Sequence, residues 1–213
     1  MDLVDCWAPN TQMLIYVEYF SRRSGIDLAD FHTTVAAAQE EWGSGYSEDQ
    51  LILHAARTWR LGPEPEHFTV WYSPRFGLER IDEWDRVFKT PEGATHASAF
   101  ARVARIDVAG CYEPLVEPVP GRRGIYYVEF FRPGQASAVK NLFEERRQKH
   151  NDFTLNLLIQ RIGRLAPEPG ALAVWTVPNF ASLGEIAGDL NATGLPLELV
   201  AAGTYVPIGS EIL

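Results

Sequence analysis

Within 213 residues the same four sequence blocks run twice, in the same order. Ile15-Tyr16-Val17-Glu18-Tyr19-Phe20 returns as Tyr126-Tyr127-Val128-Glu129-Phe130-Phe131. Arg57-x-x-Arg60-Leu61-Gly62-Pro63-Glu64-Pro65 returns as Arg161-x-x-Arg164-Leu165-Ala166-Pro167-Glu168-Pro169. Val70-Trp71-x-x-Pro74-x-Phe76 recurs as Val174-Trp175-x-x-Pro178-x-Phe180, and Ala109-Gly110-x-Tyr112-x-Pro114 as Ala202-Gly203-x-Tyr205-x-Pro207. A period of this length marks a repeated supersecondary unit, so whatever one copy folds into, the other should too. The offset between copies falls from 111 to 104 to 93, steps of 7 and 11 residues carried by the first copy alone. Extra residues are expected in loops, at the Gly-Ser-containing Trp42–Ser47 and around Lys89–Ser98, which holds Pro91 and Gly93. The chain then divides into an extension over 1–13, a first unit over 14–115, a Pro/Gly linker over 116–123 (VEPVPGRR) and a second unit over 124–213.

Each copy alternates elements in one pattern. Leu14–Phe20 and Ile125–Phe131 are β-branched and aromatic runs, which favour strands. Leu28, Phe31, His32, Val35, Ala36 and Gln39 recur at helical spacing and give a helix with an inward stripe. Leu51–Leu61 and Phe68–Ser73 read as two strands joined through the Gly-Pro-Glu-Pro turn. Leu78, Ile81, Trp84, Val87 and Phe88 predict a second helix, and Val103–Tyr112 a last strand. The order is βαββαβ, twice.

A formal charge of −9 and a pI near 5.1, with no Lys/Arg-rich block, argue against a nucleic-acid surface. The first residues lack the basic start and apolar run of a signal peptide, and no stretch is long and apolar enough to span a bilayer, so a cytoplasmic protein without membrane contact is expected. Two cysteines, Cys6 and Cys111, speak against a disulfide framework or a Cys-based zinc site.

The order βαββαβ, with a Tyr-Val-Glu first strand and a Val-Trp third strand, resembles the dimeric α+β barrel superfamily, in feel its NIPSNAP-like and antibiotic-biosynthesis-monooxygenase-like members. The resemblance implies an α+β fold: two tandem ferredoxin-like units with antiparallel sheets, closed into an intramolecular dimeric α+β barrel. It further implies a monomer with an internal pseudo-dimer, or a weak homo-oligomer, and a ligand pocket between sheet and helices. Members of that superfamily include cofactor-free monooxygenases, isomerases, cyclases, haem proteins and binders, so fold alone leaves function open.

Comparing the copies shows where they have diverged. His54 faces Leu158 and His32 faces Phe143 in the gap-free registers. Apolar counterparts imply buried positions, and one filled and one open helix–sheet pocket. Imidazole moves protons near neutral pH, so His32 and His54 are the candidate catalytic pair, although a buried histidine is also a common structural residue. Tyr16, Tyr46, Trp59 and Tyr72 are candidate substrate-lining aromatics; Trp59 faces Gly163 and Tyr72 faces Thr176. Glu18 and Glu129 are candidate general bases or partners of Arg57/Arg161 or Arg60/Arg164, and are read as structural ion pairs. His67, His96 and His150 read as solvated. No zinc spacing and no phosphate loop occurs, so neither a metal nor an organic cofactor is expected. The leading expectation is an enzyme of monooxygenase, isomerase or cyclase type, acting on a small hydrophobic molecule in the first unit. A non-catalytic ligand-binding or protein-interaction module, and a haem protein with His32 as axial ligand, are the alternatives.

Overall fold

Successive side chains of a strand point to opposite faces, and here the two faces have different jobs. The computed structural model describes residues 13–45, 48–58, 66–75, 77–121, 123–132, 136–166, 170–186 and 199–208, with backbone alone at 44, 45 and 136–139. The elements run β1 (Leu14–Arg22), α1 (Leu28–Gly45), β2 (Gln50–Arg57), β3 (His67–Ser73), α2 (Glu79–Phe88), α3 (Pro91–Val103) and β4 (Ala104–Pro114), then β5 (Ile125–Phe131), α4 (Ala136–Lys149), β6 (Thr154–Arg161), β7 (Ala171–Val177), a 3-10 turn at Phe180–Ser182 and β8 (Leu199–Pro207). All strand pairs are antiparallel, and they close into a barrel of order β1-β3-β2-β8-β5-β7-β6-β4. The fold is mixed α+β, with one eight-stranded antiparallel sheet.

The two halves of the barrel share strand order and register. Glu18 lies opposite Ala109 and Thr69, and Glu129 lies opposite Ala202 and Ala173. The halves join through two short seams, Ala55–Arg57 against Pro207–Tyr205 and Tyr112–Pro114 against Arg161–Ile159. At the first seam the Thr58 and Thr204 hydroxyls, both buried, lie 2.6 Å apart. Ile15, Val17, Tyr19, Val70 and Tyr72 of one half meet Tyr126, Val128, Phe130 and Val174 of the other inside the barrel, in one apolar core. The Tyr19 and Tyr112 hydroxyls satisfy each other there at 3.1 Å. The opposite faces carry Tyr16, Glu18, Phe20, His67, Thr69 and Trp71, and these meet the helices.

Both expected loops are corrected. α1 continues to Gly45, and the stretch around Lys89–Ser98 is chiefly helix α3. Pro91 suits the first turn of a helix because its missing N–H would have no partner there. The Thr90 side chain caps that turn by accepting from the Gly93 N–H at 3.1 Å, and Ala94, Ala97, Ala99 and Ala101 favour the helical turns beyond it. Gly93 is not a breaker but a point of close approach: a Cβ there would lie 2.1 Å from the Val87 carbonyl oxygen at the end of α2. Gly93→Ala is expected to lower stability by roughly 1–3 kcal/mol through forced separation of α2 and α3. Urea denaturation checks this, and an unchanged midpoint would mean that the junction shifts freely.

Candidate functional site

α1 lays a stripe of His32, Val35, Gln39 and Trp42 along the helix-facing side of the first half, at the i, i+3, i+4 spacing that puts residues on one face. Beneath it lie Glu18, Thr69 and Trp71. α3 and α2 add a further wall, with Trp42 stacked on Phe88 at 4.9 Å and set 5.2 Å from the His96 ring. Between these walls is a cavity of about 490 Å³. Glu18, Gln39 and Trp71 line it from the sheet and α1, His96 and Phe100 from α3, and Arg23 and Arg105 from the ends of β1 and β4.

The chemistry of the cavity centres on Glu18. Its Oε2 accepts from the Trp71 indole N–H at 3.3 Å, and the Gln39 amide is its other hydrogen-bonding side chain. Gln39 also donates to Thr69 Oγ1 at 3.2 Å. Glu18 is deep in the protein, and the surface it keeps accessible belongs to the cavity wall. No lysine or arginine occurs on α1, and among the described residues Glu18 makes no ion pair. Burial pushes its carboxyl up to about 7, against the pull of the Trp71 and Gln39 hydrogen bonds.

The matching space in the second half is filled. Arg146 of α4 binds both oxygens of Glu129 through Nη1 at 2.9 and 2.8 Å, and Trp175 Nε1 donates to the same carboxylate at 3.0 Å. Phe143 stacks on Trp175 at 5.5 Å, and the Arg146 guanidinium lies 5.4 Å from each ring. The expected pairing of both glutamates with Arg57/Arg161 or Arg60/Arg164 is therefore corrected. A helix residue, not a strand neighbour, reaches Glu129, and Arg57 lies 3.6 Å from Glu66 instead.

His32 and His54 do come together, joined by His67. The His32 and His67 rings are 5.7 Å apart, and His54 is close enough to His32 to feel its charge. His32 Nε2, His54 Nδ1 and His67 Nδ1 are buried without a hydrogen-bond partner. The cluster sits at the far end of the α1 stripe and does not line the 490 Å³ cavity. Tyr16 packs on Trp84 at 4.8 Å, on the helix-facing side. Tyr72 points into the barrel, where its hydroxyl donates to Met13 Sδ at 3.1 Å. These two tyrosines are on opposite faces of the sheet and cannot wall one cavity. Tyr46 and Trp59 lie outside the described residues.

The three histidines read as solvated are not. His67 is buried, and the His96 and His150 side chains are each only 10% exposed, lying 3.5 Å from Glu41 and 3.7 Å from Glu185. Position beside a turn or in a presumed loop misled that expectation, because His67 opens a buried strand and His96 sits in α3. Glu18, Gln39, Trp42, Trp71 and His96 were missed as one site. The available signal was the contrast between α1, with no Lys or Arg, and α4, with Arg146, Arg147 and Lys149 in its last turn. Among the described residues no group of three or more His, Cys, Asp or Glu side chains is placed to hold a metal ion, and no helix is long and apolar enough to cross a membrane.

No family model matches the sequence, and no curated protein matches it. Solved structures do match. A single-residue variant of chlorite dismutase from Candidatus Nitrospira defluvii is similar with a TM-score of 0.57 at 9% identity, over 95% of this chain and 94% of that one. A haem-binding protein from Thermus thermophilus is similar with a TM-score of 0.55 at 11% identity, over 92% and 90%. The chain shares the fold of these chlorite dismutase-like proteins. At such identities the likeness is one of fold. It points to chlorite dismutase-like proteins, whereas the sequence resemblance pointed to NIPSNAP-like and monooxygenase-like ones. The expectation of no organic cofactor is corrected here: a haem-binding protein has this fold along nearly its whole length, so the architecture can house a tetrapyrrole.

The buried charges carry two expected outcomes. Arg146→Met leaves Glu129 uncompensated and should cost about 3–5 kcal/mol in urea denaturation, with much of it recovered by adding Glu129→Gln; no recovery would mean the loss is one of packing. Burial, and next the nearby His32, push His54 down to about 4, and the same two causes lead in pushing His67 down to about 3. Since an unfolded imidazole titrates near 6.5, the unfolded chain binds protons that the folded chain refuses as pH falls from about 6.5 towards 4. Stability should drop across that window by a few kcal/mol, on the order of what these shifts carry. His54→Leu should flatten the slope, and an unaltered slope would show that His54 is not held neutral.

Proposed function

We propose that this chain binds haem in the helix–sheet cavity of its first half. The observation that carries the reading is His96 on the wall of a 490 Å³ cavity, with the Glu41 carboxylate 3.5 Å from its Nδ1. Imidazole is a common ligand to haem iron, and His96 puts one on the wall of this cavity. The volume lies within the range of about 300–1,000 Å³ usual for organic ligands. Trp42, Trp71, Phe88 and Phe100 offer apolar walls to a macrocycle. The haem-binding protein of the same fold supports the choice of group.

In this reading His96 would hold the iron, and the aromatic walls would exclude water. Bound haem supplies an iron centre able to bind small ligands or exchange electrons. The chain's own contribution beyond holding it is a carboxyl on the cavity wall, Glu18, that gains and loses a proton near neutral pH. The second half acts as the structural partner that closes the barrel. We read the chain as two ferredoxin-like units, 14–115 and 124–213, joined through 116–123 and descended from one duplicated unit. Shared strand order, shared register and the repeated Glu–Trp pairs, Glu18 with Trp71 and Glu129 with Trp175, support that origin.

Titration of the purified chain with hemin should produce a saturable Soret band at one equivalent. His96→Ala should shift the band and weaken binding by at least tenfold, and His32→Ala should leave both unchanged. Loss of the band in His32→Ala but not in His96→Ala would move the site to the histidine cluster. No Soret band in any form would end the haem reading.

A further inference from the structure

Glu18 and Glu129 occupy the same place in the two halves, each against a tryptophan indole, and differ in what lies above them. Over Glu129 the protein supplies a guanidinium and two aromatic rings, leaving the carboxylate fully buried and paired. Over Glu18 it supplies an open volume. A carboxylate in that position stays ionised only while water in the cavity solvates it, because taking an ion out of water without a counter-charge is far costlier than taking out the neutral acid.

Among the described residues, the groups facing Glu18 offer no substitute cation. From α1 comes the neutral Gln39, from β3 Trp71 and Thr69, and from its own strand the Tyr16 phenol, which burial and Glu18 keep protonated. β4 brings Ala109 alongside and Cys111, a thiol that burial also keeps protonated. The charged groups on the cavity wall are engaged with others. Arg23 Nε donates to the Ala101 and Ala104 carbonyls at 2.6 and 3.1 Å, Arg105 pairs with Asp107 at 2.6 Å, and His96 lies against Glu41 at 3.5 Å.

We infer that Glu18 sets which ligands the cavity accepts: a ligand with an apolar face and no cationic group enters together with one proton, which Glu18 keeps while the cavity is filled. The inference deepens the haem reading without depending on the iron, since only displacement of water from Glu18 is required. It gives the binding of an anionic or neutral ligand a definite sign of pH dependence. Each unit of pH above the point where free Glu18 ionises weakens binding by up to about tenfold, because the proton has first to be taken from solution. Glu18 begins to ionise near neutrality, so the effect falls between pH 7 and 8.

The test uses the full-length chain and two fluorescent probes without a metal, protoporphyrin IX and the smaller apolar anion 1-anilinonaphthalene-8-sulfonate. Wild type and Glu18→Gln are titrated from pH 6 to 8.5, with Ala97→Trp, which fills the cavity from α3, to show that the signal comes from this site. The expected result is an affinity that falls about fivefold from pH 7 to 8 in wild type, more steeply above that, and stays level in Glu18→Gln. Titration of the porphyrin's own carboxyls is common to both forms and cancels. Equal slopes in the two forms, or a level wild type, overturn the inference. If the porphyrin fails to bind while the smaller anion binds with the Glu18-dependent slope, the haem reading falls and the proton coupling stands. If neither probe binds at this site, both fall. Should Glu18→Gln not fold, calorimetry of wild type in buffers of different ionisation enthalpy gives the same answer: uptake of about one proton per probe bound near pH 8 is expected, and uptake of none overturns the proposal.

Discussion

The inner faces of the two half-sheets can be buried only against each other. Ile15, Val17 and Val70 of the first half and Val128, Phe130 and Val174 of the second are covered by no helix, because the helices lie on the other side of the sheet. At about 25 cal/mol for each Å² of apolar surface removed from water, that mutual burial is the dominant favourable contribution available to the fold. The seams at β2–β8 and β4–β6 are short because they need only hold the halves in register while the interior does the binding. The interior is also filled. Tyr19, Tyr112, Tyr126 and Tyr205 occupy it with almost no access to solvent, so the barrel is a core and not a lumen for a ligand.

A ligand site is therefore pushed outward, into the spaces between sheet and helices, and there the halves part company. In the second half α4 lies directly on the sheet, with Phe143 on Trp175. In the first half α3 stands beside α1, and Trp42 packs against Phe88 and His96. Of the residues that make the first copy longer, the 11 before its last block fall in the stretch that forms α3, the same helix that brings His96, Ala97, Phe100 and Ala101 to the cavity wall. An insertion that adds a helix thus does two things: it props the roof and furnishes part of the lining.

The mixed α+β fold with its antiparallel sheet was legible in sequence because strand patterns too short to trust singly gain weight when they recur with their order and spacing. The site was less legible, for physical reasons that individual residues display. Comparing copies at His32 and His54 picked out one buried and one half-buried imidazole, yet burial on the helix-facing side does not say which stretch of that side is open. Reading Pro91 and Gly93 as loop markers hid α3, since proline in a first turn and glycine at a close helix–helix approach both belong to helices. Once α3 was hidden, His96 could only look solvated. Glu18 was visible as a repeated residue, but its function rests on a difference located elsewhere, on the helix above it.

That difference carries an energetic consequence. A buried carboxylate paired with a guanidinium contributes little net stability, because desolvation of both ions offsets their attraction, but it is costly to break. Glu129 with Arg146 is such a locked arrangement. Glu18 is the same carboxyl with the lock removed, and burial alone raises its proton affinity. An unfolded glutamic acid titrates near 4.3, so Glu18 contributes its full stability only below that value and loses it as pH rises through about 7. The first half therefore tolerates a destabilising group on the wall of an open cavity under the conditions in which the second half is tightly paired. Strain of that kind is relieved by a proton or by a ligand's hydrogen-bond donor, and a cavity that keeps such a residue next to Trp71 and Gln39 is built to respond to what enters it.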